Sequence, residues 1–117
     1  MHEIINTDVL IIGGGASGLA AAITLKQINP QLNVTIAERL SRTGKKILAT
    51  GNGRCNLGNI NISNEYYHGS VKNYMKIIES TPHTDDFFKS LGLYCVNDDM
   101  GRMYPYSNTA TSVLTVL

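Results

Sequence analysis

The run Gly13-Gly14-Gly15-Ala16-Ser17-Gly18 places glycines at positions 13, 15 and 18. A GxGxxG spacing of this kind does its chemistry with backbone rather than with a reactive side chain. Gly13 permits a tight turn out of a strand. Gly15 lets the main chain approach a pyrophosphate with no side chain in the way, and Gly18 lets the following helix lie close on the strand. The free N–H groups and the dipole at the helix amino terminus favour phosphate oxygens at that point. Ser17 adds a hydroxyl within the same turn. Glu38 lies about 20 residues further on, where a carboxylate accepts hydrogen bonds from a ribose. That carboxylate would repel a 2′-phosphate, which argues against NADP at this site. A bare GxGxxG is a weak signal in a chain with 11 glycines. The strand before it, the helix after it and the acid at the end of the next strand strengthen it.

A second segment bears on which dinucleotide is held. After Glu38 the chain runs Ser41-Arg42-Thr43-Gly44-Lys45-Lys46-Ile47-Leu48-Ala49-Thr50-Gly51-Asn52-Gly53-Arg54-Cys55-Asn56. A nicotinamide-dependent dehydrogenase would continue into another helix-and-strand unit instead. Glycines 44, 51 and 53 allow a backbone to wrap closely round a ligand. Lys45, Lys46 and Arg54 supply positive charge suited to phosphates or an electron-rich flavin ring. Asn52 and Asn56 donate and accept hydrogen bonds.

The elements that must position these residues can be read from local pattern. Asp8 to Ile12 reads as a short strand without polar alternation, the signature of a parallel strand covered on both faces. Ser17 to Ile28 reads as a helix ended by Asn29 and Pro30. Its Ala20, Ala21 and Ala22 let it lie close on a sheet. Asn33 to Glu38 is a second strand, and the unit implies a right-handed parallel crossover. Arg39 to Asn64 has no helical or strand period and reads as a long loop, functional or disordered. Val71, Tyr74, Met75 and Ile78 follow helical spacing. Thr81 is a candidate cap for a further helix, with Pro82 at its first position and Gly92 past its end. Leu93 to Val96 and Arg102 to Tyr106 read as two strands around a turn at Asn97 to Gly101. Asn108 or Thr109 caps a last helix with Ala110, Val113, Leu114 and Leu117 on one face. That helix has no stop signal, so the expectation is an incomplete domain over residues 1–117. The fold class is α/β: a Rossmann-like βαβ start with a parallel sheet and helices on its faces, then helices and a short β-hairpin.

Composition narrows the function classes. The chain has 117 residues, 43% hydrophobic and 16% charged, and a formal net charge of +1. These values suit at most one domain and offer no basic footprint for nucleic acid or an anionic membrane. The apolar run from Asp8 to Leu25 is preceded by Glu3 and Asp8 and interrupted by glycines, unlike a signal peptide or membrane helix. The expectation is a cytoplasmic protein with no membrane or nucleic-acid partner and a small-molecule substrate of unknown identity. Cys55 and Cys95 form no CxxC and read as reduced thiols. His2, His68 and His83 have no partners at ligand spacing, so no metal site is expected. Asp85 and Asp86 read as first-turn helix acids. Tyr66, Tyr67, Tyr74, Tyr104 and Tyr106 read as packing residues. Arg102 is a weaker candidate for reaching a ligand.

The glycine turn, Glu38, the run Gly-Lys-Lys-Ile-Leu-Ala-Thr-Gly-Asn-Gly-Arg-Cys-Asn, Phe87 to Gly92 and Gly101 to Ser107 together resemble a bacterial family. It is the BaiN-like, or aminoacetone-oxidase-type, NAD(P)/FAD-dependent oxidoreductases. The resemblance covers nearly the whole chain, and Thr50 to Asn56 is its most specific part. It implies an amino-terminal portion of a longer FAD-dependent enzyme, inactive as this piece alone, with NAD(P)H a candidate electron donor. Carried over by position, the implied FAD contacts are Gly13, Gly15, Ala16, Ser17, Gly18, Glu38, Arg39, Lys46, Thr50, Gly51, Asn52, Gly53, Arg54, Cys55 and Asn56. No residue is assigned as a general acid or base. Dithiol reductases with a similar front end carry a second cysteine five positions after the first. Here that position is Ile60, so this loop offers no internal disulfide relay, and Cys55 reads as a structural cysteine rather than a redox thiol. Two other classes stay open: an NAD(P)-dependent dehydrogenase without flavin, and a non-catalytic dinucleotide-binding fragment.

Overall fold

The apolar run Val9–Ile12 forms strand β1, and Val34–Ala37 forms β2. They pair in parallel, with Val9 opposite Val34 and Ile12 opposite Ala37. Helix α1, Ala16–Ile28, makes the crossover. The computed structural model describes residues 4–81 and 83–117. The end of α1 follows from its sequence: the Asn29 N–H donates to the Leu25 carbonyl at 2.9 Å, and Asn29 has left helical geometry. Pro30 then follows, in keeping with the usual place of proline just past a helix.

The two faces of β1 differ. Ile11 points toward α1, whose Gly18 sits over it; a Cβ there would lie 3.3 Å from the Ile11 Cγ2. Leu10 and Ile12, on the other face, are 56% and 78% exposed. The expectation of a strand covered on both faces is therefore met on one face only, because α1 is the described helix that packs on the strand pair.

The second part of the chain is built differently. Short strand β3, Gly58–Asn59, precedes helices α2, Tyr74–Ser80, and α3, Thr84–Ser90. Strands β4, Cys95–Asn97, and β5, Arg102–Pro105, and helix α4, Ala110–Val116, follow. The three strands make an antiparallel sheet in the order β3-β5-β4. The hairpin turn is fixed by Asp98. Its Oδ1 accepts from the amides of Met100 and Arg102, and its Oδ2 pairs with the Arg102 guanidinium at 2.7 Å. Arg102 is thus committed to the hairpin.

One apolar cluster joins the two parts. It contains Leu19, Ile47, Cys55, Phe88, Leu93, Ala110 and Val113, with Ile36 and Leu114 packed against them. Val113 is only 1% exposed.

Three expectations need correction. Residues 39–64 are not a featureless loop: Ile47–Gly53 form two 3₁₀ turns separated by a kink at Thr50 to Asn52, and β3 follows. Thr81 does not open a helix. It closes α2, its hydroxyl donating to the Ile78 carbonyl at 2.7 Å, and His83 occupies the cap position of α3. Val71 precedes α2 rather than lying on it, and α2 opens from Asn73 in a left-handed conformation. Thr109 does stand at the cap position of α4, but its Oγ1 pairs with Ser112 Oγ at 3.2 Å rather than with a backbone amide. Glu3, His2 and Pro82 lie outside the described residues. Among the described residues no helix is long and apolar enough to cross a membrane.

Candidate functional site

The glycine turn leaves β1 under tight control. The Gly13 N–H extends the ladder to the Ala37 carbonyl at 2.8 Å, and Gly13 turns with a φ of +98°, a conformation L side chains rarely adopt. Gly18 answers for the close packing: a Cβ there would run into the Gly13 carbonyl oxygen. Gly15 is different, because a Cβ on it would meet nothing within 4 Å. The space in front of Gly15 is open. Gly15 caps α1 without a side-chain hydrogen bond, and the first turn of α1 has no acidic residue. Exposed Ala16 and Ser17 therefore sit at an amino terminus whose amides and positive dipole are not already answered by the protein.

Glu38 follows directly on β2 and reaches back to this turn. Its Oε2 accepts from the Gly14 N–H at 2.7 Å and its Oε1 from the Leu40 N–H at 2.7 Å. The Leu40 and Gly14 amides hold its carboxyl below the ordinary value of 4.5, so it is ionised at neutral pH. A carboxylate offers roughly four lone-pair positions, so about two remain to accept from a further donor.

The second wall comes from the segment after Glu38. The Gly44 N–H donates to the Gly14 carbonyl at 2.6 Å, which ties the segment to the glycine turn. A Cβ on Gly14 would press on the Thr43 side chain. Gly14 thus contacts both Glu38 and residues 43–44, a role the sequence reading assigned to none of its site residues. The signal was there: the pattern needs glycine at 13 and 15, and a third glycine stands between them.

Within the 3₁₀ segment the Thr50 hydroxyl donates to the Ile47 carbonyl at 2.6 Å. Gly51, Asn52, Gly53 and Cys55 all have positive φ, between 55° and 81°. Gly51 is required there, since a Cβ would collide with the Asn56 amide. Cys55 is buried in the core cluster, consistent with a structural thiol. Asn56 accepts from the Gly58 N–H at 3.3 Å and leads into β3. Arg54 lies half-buried against Tyr104, its Nη2 donating to the tyrosine hydroxyl at 3.2 Å. Arg39 and Lys46 are exposed.

The structure therefore brings Gly13, Gly15, Gly18 and Glu38 into one turn. It joins them to residues 44–56 through a single backbone bond and through the shared core. Two open grooves elsewhere contain none of these residues: one of about 700 Å³ between α1 and β2, the other of about 890 Å³ between α2 and the β3–β5 edge. The glycine turn itself is an open surface. Among the described residues no group of three histidine, cysteine or acidic side chains is placed to hold a metal. Cys95 is pushed up to about 11 by burial and by the neighbouring Asp85, so it is not a thiolate nucleophile at neutral pH.

Known proteins carry the same arrangement of sequence. The chain is 44% identical over 110 residues to the 3-dehydro-bile acid delta(4,6)-reductase of Clostridium scindens, covering 92% of this chain and 27% of that protein. It is 33% identical over 70 residues to the ribosomal RNA dihydrouridine synthase of Haemophilus influenzae, covering 60% of this chain and 17% of that protein. The chain thus spans about a quarter or less of the curated relatives it matches. Residues 7–117 match the HI0933-like protein Rossmann domain, and the chain belongs to that family.

Proposed function

We propose that this chain forms the FAD-binding portion of a flavin-dependent oxidoreductase acting on a small molecule in the cytoplasm. The observation that carries the reading is the ionised Glu38 carboxylate bonded to Gly14, beside an uncapped helix start with open space before Gly15. That donor and acceptor set suits the two ends of an ADP moiety: amides for the pyrophosphate and a carboxylate for the ribose. The segment from Thr50 to Asn56, with Arg39 and Lys46, supplies the remaining contacts in this reading. A reductase among the relatives supports redox chemistry, which the flavin supplies when bound.

The chain's own residues do three things in this reading. Gly15 keeps the approach to the α1 amides clear. Glu38 holds the ribose and excludes a 2′-phosphate by charge. Arg54 brings positive charge to the segment that adjoins the turn. NAD(P)H is the proposed electron donor, and stopped-flow reduction of the bound flavin tests it.

The test is the visible absorption spectrum of the purified native gene product, with identification of the nucleotide released on denaturation. A flavin spectrum with released FAD is the expected result. A colourless protein that releases a nicotinamide nucleotide would replace the reading with a flavin-free dehydrogenase. A colourless protein that cannot be reconstituted with FAD would leave a non-catalytic module.

A further inference from the structure

Arg54 is a half-buried cation that pairs with no carboxylate among the described residues. Among the described residues the one ion pair is Arg102 with Asp98. What holds Arg54 is a neutral ring. Its guanidinium carbon lies 4.2 Å from the centroid of Tyr104, and its Nη2 donates to the Tyr104 hydroxyl at 3.2 Å. Tyr104 is itself only 5% exposed and sits in β5 opposite Val96 of β4. The platform is therefore rigid and comes from a sheet remote in sequence from the segment it supports.

A guanidinium has five N–H donors, and Tyr104 takes one of them. Stacking on a ring fixes orientation but leaves the charge uncompensated. Such a half-exposed charge is hydrated in the absence of a ligand, and its remaining donors are free to take up an anion. Arg54 follows Gly53 directly, in the segment tied to the glycine turn by the Gly44–Gly14 bond.

We propose that Tyr104 is a positioning residue for the cofactor site. It presents the Arg54 guanidinium, with its remaining donors, to an anionic group of the bound dinucleotide. This rests on the FAD reading above. It also gives Tyr104 a task beyond packing.

The experiment is FAD titration of the native gene product after removal of endogenous cofactor, read by flavin fluorescence and visible spectrum at several salt concentrations. The variants are Arg54→Gln, Tyr104→Leu, Tyr104→Phe, and each tyrosine change combined with Arg54→Gln. Arg54→Gln weakens FAD binding roughly tenfold, the scale of one desolvated cation contact. Tyr104→Leu weakens it by a similar factor, yet adds nothing once Arg54 is glutamine, because both changes remove one unit. Tyr104→Phe keeps the ring and loses about threefold or less. A loss of salt dependence in Arg54→Gln assigns the anion to the pyrophosphate.

Circular dichroism checks that each variant folds. If Tyr104→Leu does not, the Tyr104→Phe pair carries the same comparison. Equal losses from the tyrosine change in both backgrounds would overturn the proposal, since Tyr104 would then act by packing alone. Wild-type protein that binds FAD beside an Arg54→Gln variant with unchanged affinity and spectrum would overturn it too, while leaving the cofactor reading intact. Wild-type protein that takes up no FAD would overturn that reading and this proposal together.

Discussion

The two walls of the candidate site are made by different physics. The glycine turn is largely a local object: a strand, a turn and a helix start within a dozen or so residues, tied to the end of β2 by the Ala37 carbonyl and the Glu38 carboxylate. The segment from Gly44 to Asn56 is a long-range object. Its 3₁₀ turns pack under α4, and Leu114 stands directly over Gly44. Its Arg54 rests on a tyrosine of β5. Most of the buried core lies on this second side, whereas β1 leaves Leu10 and Ile12 exposed. The first wall depends on the absence of side chains, the second on the presence of the right ones. Mutations should separate them accordingly.

The largest effect is expected inside the turn itself. Gly18→Val drives a side chain into the Gly13 carbonyl, and should destabilise the fold by about 3 kcal/mol or more. Gly15→Val meets open space and should cost only about 1 kcal/mol, through the poorer helix cap that valine makes, yet abolish FAD binding by filling the proposed pyrophosphate position. Urea denaturation and bound-flavin content measure the two sides. Equal destabilisation by both would erase the distinction between a packing glycine and an approach glycine.

In the second wall the core should dominate. Val113 is 1% exposed, and Val113→Ala should cost about 2 kcal/mol through lost contacts and a small cavity. Because α4 covers the 3₁₀ segment, FAD affinity should fall with it. Intact affinity at reduced stability would mean that the segment keeps its shape without α4.

Glu38 gives a smaller effect with a defined sign. Its folded-state value lies below the ordinary 4.5 because the Leu40 and Gly14 amides bond the ionised form. Its stabilising contribution is therefore complete above about pH 4.5 and fades as the pH falls through the folded value. Denaturation midpoints followed from neutral pH into that acidic range should decline more in wild type than in Glu38→Gln. Parallel curves would mean that the carboxylate is no part of the turn's stability.

The smallest effect concerns Cys95. With its thiol raised to about 11 by burial and by Asp85, alkylation near neutral pH should be slow. Asp85→Asn should speed it by roughly the few-fold expected of one removed negative charge. Mass spectrometry after iodoacetamide treatment reads both rates.

The same contrast decides what the sequence made legible. β1, α1 and β2 were readable because their pattern is local: an apolar run, three glycines, an alanine-rich stretch and an acid. The hairpin of β4 and β5 was readable from its turn residues. β3 was not, because Gly58 and Asn59 have no strand preference and are extended by pairing with Met103 and Arg102. The kinked 3₁₀ segment was not, because it depends on left-handed residues such as Asn52 and Cys55 whose conformation is set by distant packing. Thr81 misled because threonine caps a helix start and can equally bond back to the carbonyl three residues before it. Gly14 was missed because its bond to Glu38 and its contact with Thr43 come from segments distant in sequence.

The bond from Gly44 to Gly14 gives the two walls a common clock. Both glycines are buried, so the Gly44 amide can exchange its hydrogen for deuterium only when the segment lifts off the turn. Its exchange rate therefore counts openings of the whole cleft, and a nucleotide bridging both walls would slow that count.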